Sequence, residues 1–288
     1  MQITRPCIAL IVFYLLVSYQ ALARVNPWEL ATSIYQGDSA AIGSYANGCL
    51  SGAQALPLTG EGYQVIRSQR QRYYGHPNLV TFISQYSKQL SHEGINNILI
   101  GDMSMPRGGQ FDFGHSSHQI GLDVDIWLKL TDRSLTNEQI QKPMHQSVVN
   151  KASFSVNDAW LNKHRTMLKL AAQHDQVARI FVSPVIKQQL CNERNKNDLW
   201  LQKIRPWWGH TSHMHVRLKC PEGNSLCKDQ KAIKPGHGCE ELTWWKNQMK
   251  LAANQKTTAK PKSQNEDKPK PKPLKTKPLY CDELVQNG

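Results

Sequence analysis

Leu122-Asp123-Val124-Asp125-Ile126-Trp127-Leu128-Lys129-Leu130 alternates apolar and polar residues without a break. Side chains on a strand repeat every two residues, so Leu122, Val124, Ile126, Leu128 and Leu130 share one face. Asp123, Asp125, Trp127 and Lys129 share the other. A second stretch, His213-Met214-His215-Val216-Arg217-Leu218-Lys219, behaves alike: Met214, Val216 and Leu218 alternate with His213, His215, Arg217 and Lys219. Both read as strands with one buried and one polar face. Helical patterns flank them. From Pro77 to Leu90, the residues Leu79, Ile83, Tyr86 and Leu90 fall on one helical face. Residues 158–173 place Trp160, Leu161, Met167, Leu168 and Ala171 on an apolar side. Ser183-Pro184 is an N-cap followed by proline at the first helical position, opening a short helix to Leu190. Asn97–Ile100 and Arg179–Val182 read as short strands. The pattern predicts an α+β domain over residues 24–253, an antiparallel sheet with flanking helices and no internal repeat.

The chain has 288 residues, 40% of them hydrophobic, and a net charge of +13. That apolar content suits one large or two modest domains and excludes a disordered chain. Seven Cys are too few for a small disulfide scaffold. The charge suggests a polyanionic partner and has to be located. Arg5, the apolar run Cys7–Val17 and Ala21-Leu22-Ala23 form a signal-peptide layout, with cleavage expected after Ala23. The run is shorter than the ~20 residues a bilayer span needs. Residues 1–23 are therefore expected to leave, and no later segment reaches spanning length. Residues 254–279 carry eight lysines against Glu266 and Asp267, interrupted by Pro261, Pro269, Pro271, Pro273 and Pro278. Such Lys/Pro sequence favours extended polyproline II and builds no core, so it reads as a linker. Loss of Arg5 leaves +12; the linker supplies +6 and Asp282 with Glu283 −2, so +8 stays on residues 24–253. Export removes nucleic acid as the partner and leaves a membrane surface or an acidic polymer.

Cys7 departs with the signal peptide, leaving Cys49, Cys191, Cys220, Cys227, Cys239 and Cys281. An even number in an exported chain implies disulfides, and spacing alone leaves 15 connectivities open. Cys220 and Cys227 are close enough in sequence for a small loop. A bond from Cys281 would tether the segment 280–288 to the body; closing a loop back to Cys49 is worth ~5 kcal/mol in the chain-entropy model, less any strain.

The chain's 11 histidines are unevenly spread. Two clusters stand out, Gly114-His115-Ser116-Ser117-His118-Gln119-Ile120-Gly121 running into Asp123 and Asp125, and Gly209-His210-Thr211-Ser212-His213-Met214-His215. On a strand His213 and His215 project to one face. His118 precedes a Gly121 turn that can return it over that face. Two imidazoles and one carboxylate give Zn²⁺ three ligands and an open fourth position, the arrangement of a catalytic zinc. Zinc would activate a water and polarise a carbonyl, with a neighbouring histidine as general base and then acid. Periodicity does not choose between Asp123 and Asp125. The competing reading is a solvated H-x-H face. His76, His92, His145, His164, His174 and His237 lie outside both clusters and read as surface or structural.

His118 followed seven positions later by Asp125, with His213-x-His215 further on, resembles the zinc motif of the LAS metallopeptidases, which include lysostaphin-type enzymes and the hedgehog zinc domain. The wider context, Ser104–Gly109, Gly114–Trp127, Arg205–Trp207 and His213–Pro221, is similar to the penicillin-insensitive murein endopeptidases. The resemblance implies a LAS/hedgehog-like fold with His118, Asp125 and His215 as zinc ligands. It implies His213 as general base and His210 lining the site as a second catalytic histidine. It further implies disulfides Cys49–Cys281, Cys191–Cys239 and Cys220–Cys227, and hydrolysis of D-alanyl–meso-diaminopimelyl cross-links of peptidoglycan in the periplasm. Some members show a second metal at the residue matching His115 plus an Asp and a His; those positions here are Ala152 and Ser155. One catalytic zinc is therefore expected, and His115 stands as a further metal-site candidate whose alternative is a pocket group beside the zinc. Arg107 is the candidate for a substrate carboxylate. The rival readings are a peptidoglycan carboxypeptidase, a catalytically inactive zinc-containing wall binder, and a polyanion binder acting through its basic tail.

Overall fold

The computed structural model describes residues 26–258, 273 and 275–286. The expected signal peptide and most of the Lys/Pro segment lie outside them. The strands used below are, in chain order, β1 (Ala40–Ser44), β2 (Asn47–Ser51), β3 (Thr59–Gly60), β4 (Tyr63–Val65), β5 (Ile98–Ile100), β6 (Asp123–Trp127), β7 (Val177–Val182), β8 (Ile204–Pro206) and β9 (His213–Leu218). The helices are α1 (Pro77–His92), α2 (Asn162–Gln173), α3 (Pro184–Asn192), α4 (Leu242–Thr258) and α5 (Leu279–Gln286). β1 and β2 form a hairpin; the other seven strands form one sheet in the order β8-β7-β9-β6-β5-β4-β3.

The fold is α+β, but the sheet is mixed and not wholly antiparallel. β7 pairs β8 in parallel, and β4 pairs β5 in parallel; the other four pairs, β7-β9, β9-β6, β6-β5 and β4-β3, are antiparallel. Parallel neighbours need a crossover connection, and α1 and α3 lie on the two crossovers. Alternation reveals a strand's faces and carries no information about its direction.

α1 starts with Pro77 at its first turn, and the His76 ring accepts the Asn78 N–H at 3.2 Å. Its buried stripe is Leu79, Val80, Phe82, Ile83, Tyr86 and Leu90. α3 begins as the sequence indicates, with Ser183 Oγ accepting the Val185 N–H. α2 is shorter than the pattern predicts. Trp160 and Leu161 precede it, and Leu161 is 49% exposed at the N-cap position. Val124 and Ile126 of β6, Met214 and Val216 of β9, and Ile180 and Val182 of β7 join the α1 stripe in one core. Each such side chain, fully buried, contributes ~1.5–3 kcal/mol of transfer free energy. Among the described residues no helix is long and apolar enough to cross a membrane.

Three disulfides close, Cys49–Cys281, Cys191–Cys239 and Cys220–Cys227. α4 runs to Thr258, five residues beyond the boundary expected at 253. The chain returns as a strap over the β1–β2 hairpin. Lys275 Nζ donates to Ala46 O at 2.9 Å, Asn47 Nδ2 to Thr276 O at 2.9 Å, and Lys277 Nζ to Gly48 O at 3.2 Å.

Candidate metal centre

β6 and β9 are antiparallel neighbours, and their register sets Asp125 opposite His215 and Asp123 opposite Arg217. Directly opposed residues share a face, so two carboxylates and two imidazoles converge while Val124, Ile126, Met214 and Val216 fill the core behind. Both faces of β6 are buried, Asp123 completely and Asp125 almost so. The polar face is therefore a covered site and not a solvated surface.

His118 joins from the preceding loop. Its backbone is left-handed, φ 69°, a conformation that costs a non-glycine residue ~1–3 kcal/mol unless its surroundings enforce it. Two contacts enforce it. The His118 N–H donates to Asp123 Oδ2 at 3.0 Å, and the ring Nδ1 lies 2.7 Å from Met103 O. A carbonyl only accepts, so Nδ1 carries the proton and Nε2 presents its lone pair. The turn itself depends on Gly121, φ 71°, where a Cβ would meet Leu50 Cδ2 at 2.5 Å and His76 N at 2.7 Å.

His118 Nε2 is 3.5 Å from Asp125 Oδ1, and His215 Nδ1 is 3.4 Å from the same oxygen. His115 Nε2 is 3.0 Å from Asp125 Oδ2. Among the described residues His115, His118, Asp125 and His215 form one group whose ligand-type atoms lie within 4.8 Å of one another. Asp123 stands behind them. It accepts Arg217 Nε at 2.6 Å and Nη2 at 2.9 Å, and His215 Nε2 is 3.0 Å away. A carboxylate placed behind a ligating imidazole fixes the ring and its tautomer. The two aspartates that periodicity leaves equivalent are thus separated by depth: Asp125 faces the group, and Asp123 orients it.

The electrostatics suit a divalent cation. Burial pushes His215 down to about 3 and lowers His213, so both rings are neutral near pH 7. Burial opposes charge on Asp125, but His115, His213 and His118 hold it well below the usual carboxylate range. His118 Nε2 and Asp125 Oδ1 are buried with no hydrogen-bond partner. Neutral nitrogens and an ionised oxygen aimed at one point, with lone pairs unmet, are the donor set of a metal such as zinc.

His213 and His210 stand beside the group, their ring centroids 4.8 Å apart. His213 Nε2 is 3.7 Å from Asp125 Oδ2 and has no hydrogen-bond partner. His210, φ 49°, turns its Nδ1 to Trp208 O at 2.7 Å, and burial brings it down to about 4. Two hollows flank the group and meet at His115. One, ≈ 160 Å³, is lined by Arg67, Arg70, Asp102, His145 and His213; the other, ≈ 440 Å³, by Arg179, Trp207, Trp208, His210 and His215. A hollow of ≈ 970 Å³ around Lys219–Leu226 contains none of these residues.

Arg107 is not at the site. It is buried, and its guanidinium donates to Ser33 O at 3.0 Å and Leu284 O at 2.6 Å. A buried guanidinium engaged by Ser33 and Leu284, and lining neither hollow beside the His/Asp group, is not placed to meet a substrate carboxylate there. His145, read from sequence as surface or structural, lines the smaller hollow. Asp102 was missed. It lies two residues past the end of β5, its carbonyl accepts the Asp125 N–H at 3.0 Å, and its carboxylate receives Arg72 at 3.2 Å with His115 at 3.7 Å. The available signal was an acidic residue in the turn just after an apolar strand, Ile98-Leu99-Ile100-Gly101-Asp102.

The family model of penicillin-insensitive murein endopeptidases matches residues 41–286. A relative of that name from Klebsiella pneumoniae subsp. pneumoniae is 47% identical over 233 residues, 80% of this chain and 85% of the relative. Another from Escherichia coli O1:K1 is 46% identical over 239 residues, 82% of this chain and 87% of its own. A match that contains both strands, the His118 loop and all six disulfide-bonded cysteines leaves one conclusion: the chain belongs to the family of penicillin-insensitive murein endopeptidases.

Proposed function

We propose that the chain is a periplasmic zinc metalloendopeptidase that hydrolyses D-alanyl–meso-diaminopimelyl cross-links of murein. The observation that carries the metal reading is the pair of buried, unpartnered atoms His118 Nε2 and Asp125 Oδ1 beside His215 Nδ1. These three residues would hold one zinc. Zinc supplies Lewis acidity, activating water and polarising the scissile carbonyl. His213, neutral through burial, accepts the water's proton at Nε2 and returns it to the departing amine. His210 lies beside it and lines the channel. His115, set between Asp125 and Asp102, steadies the carboxylate from its outer side. Neither position of the family's second metal offers a ligand of that kind: Ala152 has no donor, and Ser155 Oγ lies 2.6 Å from Ser153 Oγ.

Hollows on both sides of the group favour an endopeptidase over a carboxypeptidase, which needs a closed end for the substrate's terminus. An unpartnered His213 beside the ligand set argues against an inactive zinc binder. Three disulfides fit an oxidising compartment outside the cytoplasm, as the N-terminal signal layout does. The test is cleavage of cross-linked muropeptide dimers by the purified protein, with and without a chelator and a β-lactam. Chelator-sensitive, β-lactam-insensitive cleavage is expected. Cleavage that survives stripping of all bound metal overturns the reading.

A further inference from the structure

Aromatic rings continue outward from the metal-ligating group. Phe181 meets His215 edge-on at 5.3 Å, Trp207 lies 5.8 Å from Phe181, Trp245 6.2 Å from Trp207, and Trp244 5.0 Å from Trp245. Trp208 also packs on Trp245, at 5.4 Å. Trp245 is buried, at 6% exposure, and anchors the group. The other three indoles remain open: Trp207 is 52% exposed, Trp208 45% and Trp244 55%. Tryptophan is highly buried on average, so three open ones on a common anchor make a patch that needs a ligand.

The patch is held rigid. Trp207 and Trp208 follow β8, while Trp244 and Trp245 belong to α4. The Arg205–Glu241 ion pair ties β8 to the residue just before α4, and the Cys191–Cys239 bond ties that same stretch to α3. Trp207 and Trp208 line the ≈ 440 Å³ hollow that contains His215 and His210. Trp208 also lines a further cleft of ≈ 710 Å³ that runs along α4. The aromatic surface is thus continuous with the reaction site.

We propose that Trp207, Trp208 and Trp244 form a saccharide platform that binds the glycan strand of murein next to the stem being cut. This rests on the murein-cleaving reading above. A pyranose has an apolar C–H face and a hydroxylated rim, and an open indole matches the face while leaving the rim in water. The glycan arrives by connectivity. Each stem is covalently attached to it, and a few extended residues at ~3.3–3.6 Å each reach from the scissile bond over the short aromatic run. Binding there makes the glycan-bearing substrate better than the free cross-linked peptide without any new contact at the metal.

The test uses peptide-free murein glycan chains as the probe, titrated into the intact protein and followed by tryptophan fluorescence and calorimetry. Saturable binding is expected, weakened roughly three- to tenfold in Trp244→Ala and partly restored in Trp244→Phe, which keeps a flat ring. In parallel, the ratio of kcat/KM for glycan-bearing dimers to that for glycan-free cross-linked peptide should fall by a similar factor in Trp244→Ala. No binding by wild type, equal binding by Trp244→Ala, or an unaltered ratio overturns the platform. Saturable binding of glycan-free stem peptide, lost in Trp244→Ala, also overturns it, because the ligand would then be peptide. Failure of wild type to cleave either substrate defeats the murein-cleaving reading; the glycan titration decides the platform by itself.

Discussion

Asp123 and Asp125 are two residues apart on one strand face, yet they do different work. Asp125 reaches the point where three imidazoles meet. Asp123 lies deeper, where burial opposes its charge but Arg217 and His215 hold its carboxyl well below the ordinary range. An Asp123→Asn substitution keeps the volume and removes the charge that orients His215. Metal affinity should fall about 10–100-fold, read by competition with a chromophoric chelator. Unaltered affinity would remove Asp123 from the orienting role. His213 makes a contrasting case. Its ring is adjacent to the group, with Nε2 buried 3.7 Å from Asp125 Oδ2 and without a hydrogen-bond partner. His213→Ala should lower kcat ~10²–10⁴-fold while metal content stays near one per chain. Equal loss of both would place it among the ligands, whereas His215→Ala should lose the metal itself.

At the scale of elements, α3 carries a group that sequence reading passes over. Lys187 is completely buried and donates to Leu201 O at 2.7 Å and His237 O at 2.5 Å. Burial, reinforced by nearby Arg205, pushes its amine from 10.5 down to about 7. The unfolded chain keeps that proton up to about 10.5, and the native chain releases it near 7. Between those values the unfolded state binds more protons, so stability rises with pH. Thermal unfolding from pH 7 to 9 should show this gain in wild type and a flatter profile in Lys187→Met. A parallel slope in both would assign the effect elsewhere. The α3 start was legible in Ser183-Pro184, because capping is local. The fate of Lys187 was not, because it depends on where residues 201 and 237 come to rest.

For the whole molecule, the C-terminal strap matters most. Cys281 bonds to Cys49 across 232 residues, Arg107 holds Leu284 O, and Lys277 reaches Gln119, the neighbour of His118. Gln119 in turn donates to Ala46 O at 2.9 Å and Ser116 O at 3.0 Å. The far end of the chain therefore braces the loop that presents His115 and His118. Replacing Cys49 and Cys281 by Ala should lower stability by up to ~5 kcal/mol in urea unfolding, and metal affinity should fall with it. An unmoved midpoint would show that the strap's remaining contacts suffice. The net charge of +13 also divides at this scale: part belongs to the Lys/Pro segment, and two of its lysines, Lys275 and Lys277, are committed to the body.

Local chemistry was decided by sequence alone. Period-two alternation marks β6 and β9 and puts Asp125, His213 and His215 on their polar faces. Proline and capping residues mark where α1 and α3 begin, and an even set of six cysteines after a signal-peptide-like layout makes disulfides the expectation. Each of these properties is set by a residue and its near neighbours. Tertiary structure decided the rest: the parallel strand pairs, the depth that separates Asp123 from Asp125, the internal use of Arg107, the approach of Asp102 and His145, and one disulfide pairing out of 15. These depend on contacts between residues distant in the chain. Distance in sequence carries no record of distance in space until the sheet is assembled.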